Sequence, residues 1–207
     1  MSDETGKETR GSETHDRVAR RPRADALRNL DALLQAAKSV FASSGVDAPV
    51  REIADKAGVG IGTVYRHFPQ RSDLITAVFR REIDACASAA PALAAEHEPG
   101  EALGLWIQRY VDFIATKRGL ATALHSGDPA YQSLPIYFDS KLQPALRSLL
   151  DAAIATDDIR ADVEPNELLH AVADLSASGG PAGSDRSRRM VALLVDGLRY
   201  GASSNKT

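Results

Sequence analysis

Through most of the chain, large apolar residues recur at intervals of three and four, the spacing that gives an α-helix one buried face. Leu27, Leu30, Leu34, Ala37 and Phe41 predict a first helix over residues 24–44, stopped by Gly45. Val50, Ile53, Ala54 and Ala57 predict a short second helix with Arg51, Glu52, Asp55 and Lys56 on its other side. Gly58, free to take the left-handed backbone, ends it. A third helix, over residues 61–68, turns only Val64 and Phe68 inward before Pro69 breaks it. Ser72 is the expected cap of a long fourth helix carrying Leu74, Ile75, Val78, Phe79 and Ile83. The same periodicity predicts helices over residues 101–117, 118–124 and 136–155, another starting at Pro165 with Leu168, Leu169, Val172 and Leu175, and a last one marked by Met190, Val191, Leu194, Val195 and Leu198. Gly, Ser and Pro set loops over residues 126–134 and 176–184, and no strand or internal repeat emerges. The expected class is all-α, about nine helices, with an N-terminal three-helix unit followed by a helical bundle.

The second and third helices, so short and joined by Ala57-Gly58-Val59, have the form of a helix-turn-helix that reads DNA. The third has little to bury and much to donate, since its other faces hold Thr63, Tyr65, Arg66 and His67. Ile53-Ala54, Ala57-Gly58-Val59, Thr63-Val64-Tyr65, His67-Phe68 and Asp73-Leu74 stand in a family order, and residues 27–79 resemble the TetR family of bacterial one-component transcription regulators. Beyond residue 85 the resemblance is one of architecture. It implies that Thr63, Tyr65 and His67 contact phosphates, that Arg71 clamps another at the start of the fourth helix, and that Arg51, Ile61, Gly62 and Arg66 approach base edges. The chemistry agrees with those roles: hydroxyls fix register on the backbone, and an arginine fork can read guanine O6 and N7. Two departures make the surface leaner in hydroxyls. Ala48-Pro49 stands where the family often has Thr or Ser, and Gly60 replaces a usual Ser or Thr. Each interior helical glycine costs about 1 kcal/mol, but Gly60 and Gly62 let the backbone come close to the groove.

A net charge of -3 looks wrong for a nucleic-acid binder until it is divided along the chain. Residues 17–82 hold 12 basic and 7 acidic side chains, a net +5, whereas residues 1–16 carry -3 and residues 83–207 carry -5. Positive charge is thus confined to the segment with the helix-turn-helix, where attraction to phosphate needs it, and the acidic remainder would be repelled. Residues 1–22 have too little apolar content to order themselves and read as a disordered basic arm, with Arg17, Arg20, Arg21, Arg23 and Arg28 in or just after it. The DNA-binding part is expected over residues 23–83 and an effector-binding and dimerisation part over residues 84–207.

In the C-terminal part most of the few aromatics gather between residues 106 and 138. A stripe such as Trp106, Tyr110 and Phe113 is ordinary core in most helices. The resemblance, however, implies a chamber for a small apolar or amphipathic effector, and Trp106, Tyr110, Phe113, His125 and Tyr137 are its expected lining. The last two helices are the expected interface of a homodimer, with Leu194 and Leu198 in the contact, because two heads one DNA turn apart read a palindrome. Neither a nucleophile elbow, a phosphate-binding glycine loop nor a Cys–His pair appears, and adjacent residues in Glu96-His97-Glu98 point apart, so no catalysis, metal or cofactor is expected. No run of eighteen apolar residues exists, the N-terminus is polar and Cys86 stands alone, which together give a cytoplasmic expectation. The expected function is a ligand-released repressor that binds double-stranded DNA. The competing reading is a structural DNA-binding protein whose C-terminal part recruits another protein and binds no small ligand; a solid core and an exposed apolar patch would favour it.

Overall fold

A computed structural model describes residues 12–177 and 183–203, and it is all-α among them. The elements are α1 (Ser12–Ser44), α2 (Val50–Ala57), α3 (Ile61–His67), α4 (Arg71–Ala87), α5 (Ala89–Glu96), α6 (Pro99–Gly119), α7 (Ala121–Leu124), a 3₁₀ turn (Pro129–Tyr131), α8 (Leu134–Ala155), α9 (Pro165–Ala177) and α10 (Gly183–Ser203). Helix α1 starts at Ser12, inside the stretch expected to be a disordered arm. Residues 1–11 and the side chains of Arg17, Arg20, Arg21 and Arg23 lie outside the described residues. Helix α5 has no counterpart in the periodicity. Its sequence, Ala89-Ala-Pro-Ala-Leu-Ala-Ala-Glu96, favours helix through alanine while fully burying only Ala90, with Leu93 its one large apolar residue, so no stripe announces it.

Helices α1, α2 and α3 pack with the first half of α4 as one head. Gly58 closes α2 at φ 67°, in the left-handed region, where any side chain would be strained. The cap of α4 is Gln70 rather than Ser72: the Gln70 backbone N–H donates to the Asp73 carboxylate at 2.9 Å, the position three residues on that a capping box requires. Salt bridges Lys38–Glu82 and Arg81–Asp31 tie α1 to α4 at 2.5 and 3.4 Å.

Helix α4 then continues into the second half of the molecule, where α5, α6 and α8 pack against it, and α9 and α10 pack on α6 and on each other. The domain boundary expected near residue 83 falls within this helix, and Ile83 is fully buried in an apolar cluster that runs without a break from Ile53 and Val64 to Val191 and Val195. Trp106 of α6, wholly buried, donates its indole N–H to the Cys86 carbonyl at 2.9 Å and so satisfies a group in the last turn of α4. Gly100 allows the start of α6 to sit directly on the α8–α9 connection, since a Cβ there would meet Asp158 Cβ at 2.9 Å. Its backbone N–H donates to the Asp158 carboxylate, and its carbonyl accepts from Arg199 of α10.

Candidate functional site

The outer surface of α3 follows from its anchoring. Val64 is 1% exposed and Phe68 half-buried, which leaves the rest of the helix facing out. At 3.6 residues per turn, Gly62 and Arg66 occupy the middle of that outward arc, with Ile61 and Tyr65 on one flank and Thr63 and His67 on the other. Ile61 is 41% and Tyr65 52% exposed, unusual for large apolar or aromatic groups in a protein that has a core to put them in. Gly60 and Gly62 have nothing within 4 Å of where a Cβ would stand. The side chains of Arg51, Thr63, Tyr65 and Arg66 make no hydrogen bond or ion pair with other described residues, so their polar groups are available to a partner. Arg71 differs. It is half-buried, and its guanidinium donates to the Val46 carbonyl, bracing the first turn of α4 against the α1–α2 connection.

A cavity of about 480 Å³ opens between α4, α6, α7, α8 and α9. Phe79, Leu124, Tyr131, Leu134 and Phe138 form its apolar wall, and Lys117, His125, Asp139, Gln143, Asn166 and His170 its polar rim. That combination, an apolar wall beside an equally extensive polar rim, suits a small amphipathic molecule. The Nδ1 of His125 lies 2.8 Å from the Ala121 carbonyl, and that of His170 2.7 Å from the Asn166 carbonyl. A carbonyl can only accept, so Nδ1 carries the proton in both and Nε2 is the nitrogen left for a ligand.

Of the five residues expected to line a chamber, only His125 does so. Trp106, Tyr110 and Phe113 are 0%, 2% and 3% exposed and form a packed stack one layer behind the wall, with Trp106–Tyr110 and Tyr110–Phe113 ring centroids 5.9 Å apart. Phe113 backs both Phe79 and Phe138, the rings that do face the space, at 5.5 and 5.9 Å. Tyr137 lies instead on the outer seam between α4 and α8. Its hydroxyl donates to the Asp84 carboxylate at 2.7 Å, with Arg80 and Lys141 over its ring. Phe79, Tyr131, Lys117, Gln143, Asn166 and His170 were missed because no local spacing links residues from separate elements. Burial pushes the Cys86 thiol up to about 12, so it stays protonated and unreactive. Among the described residues no cluster of three His, Cys, Asp or Glu side chains could hold a metal ion, and no helix is long and apolar enough to cross a membrane.

Two further surfaces matter. A cleft of about 430 Å³ separates the head, at Val46, Gln70 and Arg71, from the segment around Thr122, Asp128 and Tyr131. Tyr131, 8% exposed, therefore borders both this cleft and the larger cavity. On α9 and α10, Leu175, Met190 and Leu193 are 38%, 36% and 62% exposed, and Gly197 continues the same face of α10. Leu198, expected in a dimer contact, is only 9% exposed and belongs to the chain's own core, where its carbonyl accepts from the Arg160 backbone N–H; Leu194 is half-buried. The reason is rotational: α6 packs on the face of α10 that carries Val191, Val195 and Leu198, which sends Leu193 outward.

Residues 33–78 match the profile of bacterial regulatory proteins of the tetR family, and residues 98–200 match that of the SbtR-like transcriptional regulator C-terminal domain. The crystal structure of a TetR transcriptional regulator from Streptomyces coelicolor is 38% identical and covers 82% of this chain and 97% of its own, with a TM-score of 0.72. A TetR transcription regulatory protein from Mycobacterium vanbaalenii is 35% identical over 86% of this chain and 98% of its own, with a TM-score of 0.66. An HTH-type transcriptional regulator of Staphylococcus aureus is 26% identical over 72% of this chain and 80% of its own length. With a helix-turn-helix head and a helical C-terminal part that both match family profiles, the chain belongs to the TetR family of DNA-binding transcriptional regulators.

Proposed function

We propose that the protein is a repressor that binds a palindromic operator as a homodimer and is released by a small apolar or amphipathic effector. The observation that carries this reading is the cavity beside α4, because Phe79 in its wall belongs to the helix whose first half is part of the head. Tyr131 supplies a second route, since it stands between the cavity and the cleft beside Arg71. An effector that fits the cavity only when α4 or Tyr131 shifts would favour a conformer whose two heads no longer match successive major grooves. Differential affinity for the two conformers is what drives release; tight binding to both shifts nothing. The exposed apolar face of α9 and α10 supports pairing of two copies. The competing reading, recruitment of a protein partner without a ligand, goes with a solid core and an exposed apolar patch; the patch on α9 and α10 fits both readings, and the cavity favours the effector.

The test combines a gel shift on operator DNA with a thermal melt against a compound library. A true effector raises the melting temperature and weakens operator binding together, because both follow from one equilibrium. His170→Ala, at the cavity rim, should change effector affinity and leave ligand-free operator affinity unchanged. If operator binding is specific but no compound produces the paired effect, the partner-recruiting reading takes its place. In the same assay Arg66→Ala should relax preference at particular base pairs by about 1–3 kcal/mol, whereas Tyr65→Phe should weaken all duplexes alike.

Gly62 gives a prediction in which two properties move in opposite directions. Gly62→Ala adds a methyl group to open space in the free protein and replaces a glycine in the first turn of α3, so stability should rise, by at most about 1 kcal/mol. The same methyl stands at the centre of the outward arc of α3, so operator affinity should fall. A thermal melt and a gel shift read the two effects, and a rise in both would remove Gly62 from the DNA surface.

A further inference from the structure

The outward arc of α3 begins with three residues, Gly60, Ile61 and Gly62, that carry no side-chain hydrogen-bond donor or acceptor. Whatever the side chains of this turn read, they must read through carbon. Ile61 is the only side chain there, 41% exposed, with open space around both neighbouring glycines. It is β-branched, so in a helix its χ1 is held essentially to one rotamer and its methyl groups stand in a fixed position without loss of rotamer freedom on binding. In the major groove only one base offers an apolar group on its edge, thymine with its C5-methyl. We infer that each operator half-site holds a thymine whose C5-methyl group packs on the Ile61 side chain. This rests on α3 being the recognition helix and adds which base its first turn selects. Arg66, one turn on from Gly62 and with no side-chain partner among the described residues, supplies the polar reading that Ile61 lacks.

The experiment removes the methyl group from the DNA and the side chain from the protein in turn. The full-length protein selects its operator from randomised duplexes, and each thymine of that operator is then replaced by deoxyuridine, which keeps the O4 acceptor and loses only the methyl. For wild-type protein one thymine per half-site should show a loss of about four-fold in affinity, or about fifteen-fold when both half-sites are changed. Ile61→Ala should bind the parent operator more weakly, keep the wild-type melting temperature, and be indifferent to deoxyuridine at that position. Ile61→Val, which keeps part of the contact, should fall between the two. Thr63 and Tyr65 also present carbon to the groove, so a deoxyuridine loss that persists in full in Ile61→Ala belongs to them and overturns the inference. Specific binding without any sensitive thymine overturns it too, while leaving DNA recognition by α3 intact. If selection enriches no sequence at all, recognition by α3 fails first, and the inference falls with it.

Discussion

Charged residues in place of Met190 and Leu193 should turn a dimer into a monomer and reduce operator affinity by roughly 10²–10⁴-fold. The first effect follows from exposure: Leu193 is 62% and Met190 36% exposed on one face of α10, with Leu175 of α9 also turned to solvent at 38%. A face of this kind is stable in water only at a cost, and a second copy of itself is a self-complementary cover under two-fold symmetry. The second effect is entropic. With two heads linked, binding of one half-site places the other head at high local concentration over the second, and a monomer loses that gain without losing a single contact to DNA. Sedimentation of Met190→Lys/Leu193→Glu beside the wild type, with gel shifts on full and half operators, checks both parts. The control is Leu198→Glu. Leu198 is buried within its own chain, so this variant should lose stability, because an unpaired carboxylate cannot be buried cheaply. A Met190→Lys/Leu193→Glu variant that is folded and still dimeric would show that the subunits meet elsewhere.

Trp106→Ala should cost about 3–5 kcal/mol of stability, the range for an aromatic residue removed from a packed core. The indole is wholly buried and stacked on Tyr110, and its N–H donates to the Cys86 carbonyl in the last turn of α4, a bond that alanine cannot make. Urea unfolding of Trp106→Ala beside His170→Ala distinguishes core from rim, since His170 is exposed and its removal should leave stability within about 0.5 kcal/mol. A Trp106→Ala protein as stable as wild type but altered in effector affinity would mean that the indole faces the ligand after all.

The head was legible along the chain because its determinants are local. Gly58 must take a left-handed backbone whatever surrounds it, and Val64 with Phe68 marks the inward side of α3 within eight residues. Helix boundaries in the second half followed for the same reason wherever large apolar residues kept their spacing, and failed at α5, where alanine makes a helix without making a stripe. The capping residue of α4 also escaped notice. Gln70 is an ordinary-looking polar residue until Asp73 is seen to fold back on its N–H.

The sequence by itself determined the class of the fold, the reading helix and the sign of charge on each part, since these depend on period, composition and a few backbone-constrained glycines. Only the tertiary structure decided which aromatics fill space and which border it. A stripe such as Trp106, Tyr110 and Phe113 is written identically for both outcomes; the arrival of Phe79 from α4 and Phe138 from α8 in front of it turned it into core. The same holds for α10, where Leu193 and Leu194 are equally apolar neighbours. One residue rotates the helix by about 100°, and the face on which α6 lands determines which leucine serves the chain's own core and which is left for a second molecule.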